Sequence, residues 1–223
     1  MSGFSLIGQI HFGLGGLCLL AGVAAFVLRK GARGHIFAGR AFAVSMLLLC
    51  ASGLYMSFAR SIVFTTFLSL FAAHAAATGW LAARESSGLM QRSERLLAGL
   101  IALVGIASLA TGLGLSVSDL DQLDGLPPEA FYGLGGVALF IAALDALAII
   151  RSPLSRTRRI ARHLWRMGFS MFIATFIIFF GNNHVLPEAL RTEAILVMPV
   201  VLVTLLTVFW LLRVSLLPSW KRR

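Results

Sequence analysis

The chain has 223 residues, of which 58% are hydrophobic and 13% are charged, and its mean hydropathy is +0.89. A soluble domain carries about a quarter charged residues. This composition excludes an ordinary soluble enzyme, a disordered protein and a secreted disulfide scaffold. The formal net charge of +10 is interpreted below from the position of the basic residues. We predict an integral membrane protein.

Seven apolar stretches are long enough to cross a bilayer. A membrane helix needs about 20 apolar residues, because each residue rises about 1.5 Å and the hydrocarbon core is about 30 Å thick. The stretches cover approximately 4–28, 36–58, 62–83, 96–115, 130–150, 160–180 and 194–212. None shows the alternation of a strand. The sequence therefore predicts an all-α polytopic bundle of seven transmembrane helices, forming a single integral membrane domain over residues 1–223.

The basic residues predict the orientation. With the N-terminus outside, all but two of the 19 Lys and Arg residues fall on one side of the bundle, and the exceptions are Arg60 and Arg191. Basic residues stay on the cytoplasmic side, so we predict the N-terminus outside and the C-terminus inside. The first span precedes Arg29 and Lys30 and follows no basic residue. It is therefore predicted to be a retained helix and not a cleaved signal peptide.

This placement also explains the net charge. Basic residues that flank apolar helices act as topology determinants and contact anionic headgroups. No basic run interleaved with aromatic residues lies on a soluble face, so nucleic acid is not an expected partner. The predicted partners are the lipid bilayer and the anionic headgroups of its cytoplasmic leaflet.

A short internal similarity predicts a repeat. Residues 12–16 read FGLGG and residues 132–136 read YGLGG, and each run is followed by a basic loop and a histidine, His35 or His163. Both copies enter from the same side, which predicts a parallel repeat with spans one to three and five to seven as its halves and span four as a connector. The alternative is a chance recurrence of glycine-rich helix starts.

Histidines are the most informative candidate site residues. His35 and His163 are predicted at one depth on two helices, and paired imidazoles at one depth can hold a b-type haem. Arg162 and Arg166 would pair with the propionates, and Phe37 and Trp165 would pack on the ring. His11 and His74 are alternative ligands. A histidine at the end of a helix also serves as a plain polar anchor.

Asp145 is the acidic residue within the apolar spans that needs an explanation. A carboxylate at membrane depth costs about 2.5–3.5 kcal/mol on insertion scales unless it is paired or protonated. Its structural interpretation is a partner for Arg162, Arg166 or His163. Its functional interpretation is a proton carrier acting together with His74.

Other site chemistry is weakly supported. Cys18 and Cys50 are predicted at different depths, so we expect two buried free thiols and no disulfide. No spacing of histidines and cysteines indicates a metal site beyond the haem iron. The acidic loop at Asp119, Asp121 and Asp124 lacks the terminal glutamate of a calcium loop and is predicted to be solvated.

Three motifs resemble those of an uncharacterised bacterial family of multi-pass inner-membrane proteins, catalogued as a domain of unknown function. They are His11 with Gly15, then Arg29-Lys30-Gly31 with His35 and Gly39, and Arg162-His163-Leu164-Trp165-Arg166-Met167. The resemblance covers nearly the whole chain. It implies location in a bacterial inner (plasma) membrane and makes His11, His35 and His163 motif positions, but it implies no reaction.

Three functions fit these observations. The first is a b-type haem-binding or quinone-linked redox membrane protein with His35 and His163 as ligands. The second is a small proton-coupled transporter that uses Asp145 and His74. The third is a non-catalytic assembly or scaffolding protein, whose partners would be a respiratory or biogenesis complex or further copies of the chain. Whether the protein is an enzyme stays open.

Overall fold

The computed structural model of the protein describes residues 6–84 and 88–216, which form a helical protein. No strand occurs within these residues. The seven long helices are α1 (Leu6–Val27), α2 (Arg33–Ala59), α3 (Val63–Ala82), α4 (Gly88–Ser116), α5 (Pro128–Ile150), α6 (Arg156–Phe176) and α7 (Glu193–Leu216). Between α6 and α7 lie a π-helix at Ile177–Gly181 and two 3₁₀ turns at Asn183–Val185 and Glu188–Leu190.

All seven helices are long and apolar enough to cross a membrane, which confirms the predicted all-α, seven-helix fold. Most helix ends agree with the predicted spans to within a few residues. The largest difference is at α4, which begins at Gly88 although its apolar stretch begins near residue 96. The segment 91–95 is polar but helical, so α4 begins several residues before its apolar stretch does.

The chain divides into two compact units, which are described separately. Unit 1 comprises the described parts of Met1–Leu49, Ala75–Ala83 and Ser155–Arg223. Unit 2 comprises the described parts of Cys50–His74 and Arg84–Leu154. Unit 1 therefore contains α1, α6, α7, residues 33–49 of α2 and residues 75–82 of α3. The predicted parallel repeat would divide the chain differently, and it stays a prediction.

Close helix packing in unit 1 depends on glycines of α1 and α6. A Cβ atom built on Gly22 would lie 2.5 Å from Met171 Sδ of α6 and 3.1 Å from Phe42 Cδ2 of α2. Gly168 of α6 faces Thr207 of α7 equally closely. Small residues let neighbouring helices approach and pack by van der Waals contact. These positions set the spacing of α1, α2 and α7 around α6.

Unit 2 is held by the contact of α4 with α5. A Cβ on Gly105 would lie 3.1 Å from the carbonyl oxygen of Gly135, and a Cβ on Gly135 would lie 2.8 Å from the carbonyl oxygen of Gly105. The two backbones therefore touch. Beside them, Ser108 Oγ donates to the carbonyl oxygen of Phe131 at 2.8 Å. Glycine is required at this crossing because backbone atoms cannot move aside as side chains can.

Asp124, in the acidic loop between α4 and α5, caps the first turn of α3. Asp124 Oδ2 accepts a hydrogen bond from the backbone N–H of Phe64, in the first turn of α3, at 2.7 Å. Asp124 and the following Gly125 both have positive φ, 57° and 73°. The Asp124 carboxylate satisfies the N–H of Phe64, which as part of the first helical turn has no partner within the helix. Asp119 and Asp121 are exposed, as the prediction of a solvated loop requires.

We predict that Gly135→Ala destabilises the protein by about 1–3 kcal/mol, the usual cost of overpacking a close contact. The new methyl group would lie 2.8 Å from a backbone oxygen. Thermal unfolding of the purified full chain in mild detergent measures the effect.

The matched control is Gly136→Ala, on the same helix, where a Cβ meets nothing within 4 Å. Alanine is the better helix former, so this variant should keep or slightly raise the melting temperature. Equal melting temperatures for the two variants would contradict the close contact of α4 and α5.

Candidate functional site

His35 and His163 line one cleft in unit 1. His35 lies near the start of α2, and His163 lies in the first half of α6. The cleft is formed by α1, by Lys30 in the turn after it, and by the facing sides of α2 and α6. Its lining residues are Gly22, Ala25, Phe26, Lys30, His35, Gly39, Phe42, His163, Met167, Gly168 and Met171. The fold thus brings together the two histidines that the sequence placed at one depth.

Both imidazoles are held through the same ring nitrogen. His35 Nδ1 lies 3.1 Å from the carbonyl oxygen of Ala25, and His163 Nδ1 lies 2.8 Å from the carbonyl oxygen of Gly79. A carbonyl oxygen can only accept a hydrogen bond, so each Nδ1 carries the proton and donates it. In the neutral ring, Nε2 then has its lone pair available. Metal-bound histidines almost always donate their second ring N–H in this way.

The cleft is mainly apolar and open on one side. It encloses a cavity of about 60 Å³, and its empty space, with the open side included, is about 450 Å³. The enclosed volume of about 60 Å³ is well below the range of about 300–1,000 Å³ typical of ligand pockets. The enclosed part by itself accommodates an ion or a few atoms, so a larger ligand would extend through the open side.

Lys30 is the cation at this cleft. Its Nζ donates to the carbonyl oxygens of Ala25 at 2.8 Å and Phe26 at 2.6 Å, which satisfies the end of α1. The ammonium also lies 4.3 Å from the centre of the Trp210 ring, a cation–π distance. Burial lowers the pKa of Lys30 from its usual value. Lys30 was not predicted as a residue of the site, because the predicted cations, Arg162 and Arg166, are those next to His163 in the sequence.

Arg162 and Arg166, the predicted propionate partners, are buried residues of α6 and are not among the lining residues of the cleft. Arg162 is 8% exposed and Arg166 is fully buried. The Arg166 guanidinium carbon lies 4.2 Å from the centre of the Trp165 ring. The predicted ring-packing residue Phe37 is 76% exposed, and the aromatic residues that line the cleft are Phe26 and Phe42.

His74 and Asp145 form a buried pair in unit 2. His74 Nε2 lies 2.8 Å from Asp145 Oδ2, and both side chains are 1% exposed. His74 comes from α3 and Asp145 from α5, which are separated by 71 positions in the chain. The contact joins Asp145 to His74, and the predicted pairing of Asp145 with Arg162, Arg166 or His163 stays a prediction. A hydrogen bond between two buried ionisable groups is sensitive to loss of either partner.

The other two histidines lie away from the cleft. His11, on α1, is hydrogen-bonded to the backbone of Leu49 in α2. His184 is exposed in a 3₁₀ turn, and its carbonyl oxygen accepts from Arg191 Nη2 at 2.8 Å. Among the described residues, no group of three or more His, Cys, Asp or Glu side chains is placed to hold a metal ion. A metal at the cleft would therefore depend on the histidine pair together with other donors.

The search for similar proteins found no matching family model, no matching curated protein and no matching solved structure. The resemblance to an uncharacterised bacterial membrane family therefore stays an interpretation of the motifs.

We predict that Asp145→Ala destabilises the protein by about 3–5 kcal/mol, because it leaves the buried His74 without the carboxylate. Asp145→Asn should cost less, since its amide oxygen can still accept a hydrogen bond from His74. Unfolding midpoints in detergent compare the variants.

Asp121→Ala, which removes an exposed carboxylate of the same unit, is the control and should change stability by less than about 0.5 kcal/mol. A double-mutant cycle with His74→Ala isolates the pair itself. Additive effects of the two substitutions would argue against the coupling.

Proposed function

We propose that the protein is a redox membrane protein of a bacterial inner membrane, with a b-type haem held by His35 and His163. The observation that carries the proposal is the shared geometry of the two histidines. They come from two helices, line one cleft, and are both held through Nδ1 so that Nε2 remains for iron. In the proposed orientation, with the N-terminus outside, this cleft lies towards the cytoplasmic side.

The residues of the cleft fit this cofactor in their chemistry. Two neutral imidazoles are suitable ligands for haem iron. Phe26 and Phe42 provide apolar walls, and Lys30 provides a cation. The enclosed cavity of about 60 Å³ is smaller than a haem macrocycle, so the cofactor would have to extend beyond it. Flexible methionine side chains at the cleft can adjust to a ligand.

The protein residues have separate tasks in this proposal. Bound haem would supply reversible one-electron chemistry at iron. Ala25 and Gly79 fix the ring orientation of the two histidines through their carbonyl oxygens, and this hydrogen bonding raises the basicity of a ligand. Lys30 would stabilise an anionic group at the edge of the cleft. The apolar walls would exclude water from the enclosed part of the cleft, next to the two histidines.

We predict a Soret shift and a sharp α band in the dithionite-reduced minus air-oxidised spectrum of the full chain, purified from cells supplied with a haem precursor. His35→Ala and His163→Ala should each abolish or strongly reduce these bands. Added imidazole should partly restore them, because it can fill the space that the alanine leaves.

His184→Ala is the control, since His184 is an exposed histidine that does not line the cleft. The absorption bands of this variant should equal those of the unaltered protein. A flat spectrum of the unaltered protein would overturn the haem proposal. So would normal bands in both cleft variants.

A second candidate function, proton-coupled transport, is favoured by the His74–Asp145 pair. An ionisable pair buried within membrane-spanning helices is a common element of proton relays. Its test is uptake of a panel of small solutes into proteoliposomes under an imposed pH gradient. The proposal expects uptake that Asp145→Asn abolishes without loss of the folded protein, and uptake unaffected by Asp145→Asn would overturn it.

A further inference from the structure

Two cations of unit 1 share one aromatic ring. Lys30 Nζ lies 4.3 Å from the centre of the Trp210 ring, and the guanidinium carbon of Arg213 lies 5.1 Å from the same centre. Both are cation–π distances. Lys30 lies in the turn after α1, and Arg213 lies in the last turn of α7. The ends of α1 and α7 therefore meet at this indole, each with a basic side chain.

The two cations differ in the hydrogen bonds that they can still donate. Lys30 Nζ donates to the carbonyl oxygens of Ala25 and Phe26 and faces the Trp210 ring, so its three N–H groups are already directed at acceptors. Arg213 is exposed, and within residues 6–84 and 88–216 it makes no hydrogen bond or ion pair. A planar guanidinium that stacks through its face still presents N–H donors along its edge. Arg213 can therefore bind an anion while it remains on the ring.

No carboxylate of unit 1 lies near these cations. The acidic residues of unit 1 are Glu188 and Glu193, at the other end of α7. About 30 Å of helix separates Glu193 from the last turn of α7, which is several times the Debye length of about 8 Å at physiological salt. Two further exposed cations, Arg29 and Arg33, flank Lys30 in the sequence. This end of unit 1 is therefore positively charged and complementary to an anion.

The surface beside the cations is apolar. Val27 at the end of α1 and Phe209 and Leu212 at the end of α7 are exposed. Tryptophan is enriched at the level of the lipid headgroups, and Trp210 is half-buried there between the two cations. In the proposed orientation this end of the helices lies on the cytoplasmic side. A ligand that matches both features has an anionic group joined to apolar chains.

We infer that Lys30, Trp210 and Arg213 form a binding site for the phosphodiester headgroup of one anionic phospholipid. The edge of the Arg213 guanidinium would donate to the phosphate oxygens, a geometry that its planar fork fits. Lys30 would add positive charge, and the acyl chains would lie on the exposed apolar residues of α1 and α7. Basic pockets between membrane helices bind anionic headgroups in this way. This inference does not depend on the proposed haem.

The test is a titration of the purified, delipidated full chain in a neutral detergent with phosphatidylglycerol, phosphatidylcholine or inorganic phosphate. Native mass spectrometry counts the lipids that remain bound to each chain. The unaltered protein should retain one phosphatidylglycerol in preference to phosphatidylcholine, because the choline group cancels the charge of the phosphate. Excess inorganic phosphate should not displace the lipid, since it has no acyl chains.

Substitutions at the ring separate a defined site from the effect of net charge. Arg213→Gln should weaken phosphatidylglycerol binding by at least about tenfold, the loss expected for one hydrogen bond between charged groups. Arg213→Lys should also weaken it although the charge is kept, because an ammonium has no planar fork. Trp210→Leu removes the ring that holds the guanidinium and should have a similar effect. Trp210→Phe keeps an aromatic face and should lose less.

The matched control is Arg95→Gln, which removes an exposed cation of unit 2 and should leave lipid binding unchanged. Thermal unfolding without lipid checks that each variant is folded, and the exposed position of Arg213 makes its variants the decisive ones. His35→Ala and His163→Ala should keep lipid binding even where they abolish the haem bands.

Four results would overturn the inference. The first is equal retention of phosphatidylglycerol and phosphatidylcholine by the unaltered protein. The second is unchanged binding by Arg213→Gln or Arg213→Lys. The third is an equal loss in Arg95→Gln and Arg213→Gln, which would mean that net charge alone attracts the lipid. The fourth is displacement of the lipid by inorganic phosphate, which would make this a site for the free anion.

Discussion

A chain that crosses a membrane must satisfy its polar groups without water. For the backbone this requirement is met by helices, because each N–H and C=O then bonds within its own segment. The same requirement extends to every polar side chain in the spans. Thr175 Oγ1 bonds the carbonyl oxygen one turn before it at 2.7 Å, and Ser108 Oγ bonds a carbonyl oxygen of the next helix at 2.8 Å. The positions of the polar side chains therefore indicate where helices meet.

The histidines follow the same rule with different consequences. The carbonyl oxygens of Ala25 and Gly79 accept hydrogen bonds from Nδ1 of His35 and His163, which leaves Nε2 of each ring with its lone pair. His74 is bonded at Nε2 by a carboxylate, so it belongs to an ionisable pair. The hydrogen-bond partner, and not the residue type, thus distinguishes the environment of His74 from that of the two cleft histidines.

Part of the candidate site could be predicted from the sequence. The equal depth of His35 and His163 follows from counting residues along helices, and the structure brings both to one cleft. Lys30 could have been found from its place directly after an apolar span, where a cation satisfies the end of a helix. Arg162 and Arg166 were expected near the histidines because they are close in sequence. Whether they reach the cleft depends on the direction in which each side chain leaves α6, which sequence distance does not give.

Hydropathy determined the number of helices and their lengths, and the position of the basic residues determined the expected orientation. This is possible because the thickness of a bilayer and the cost of unsatisfied backbone N–H and C=O groups are the same for any sequence. Tertiary structure alone decided which side chains meet. The contact of Gly105 with Gly135, the pairing of His74 with Asp145 across 71 positions, and the approach of Cys18 to Met46 are all contacts between helices. They depend on the rotation and packing of each helix against its neighbours, and a sequence specifies these only through the whole set of contacts that form together.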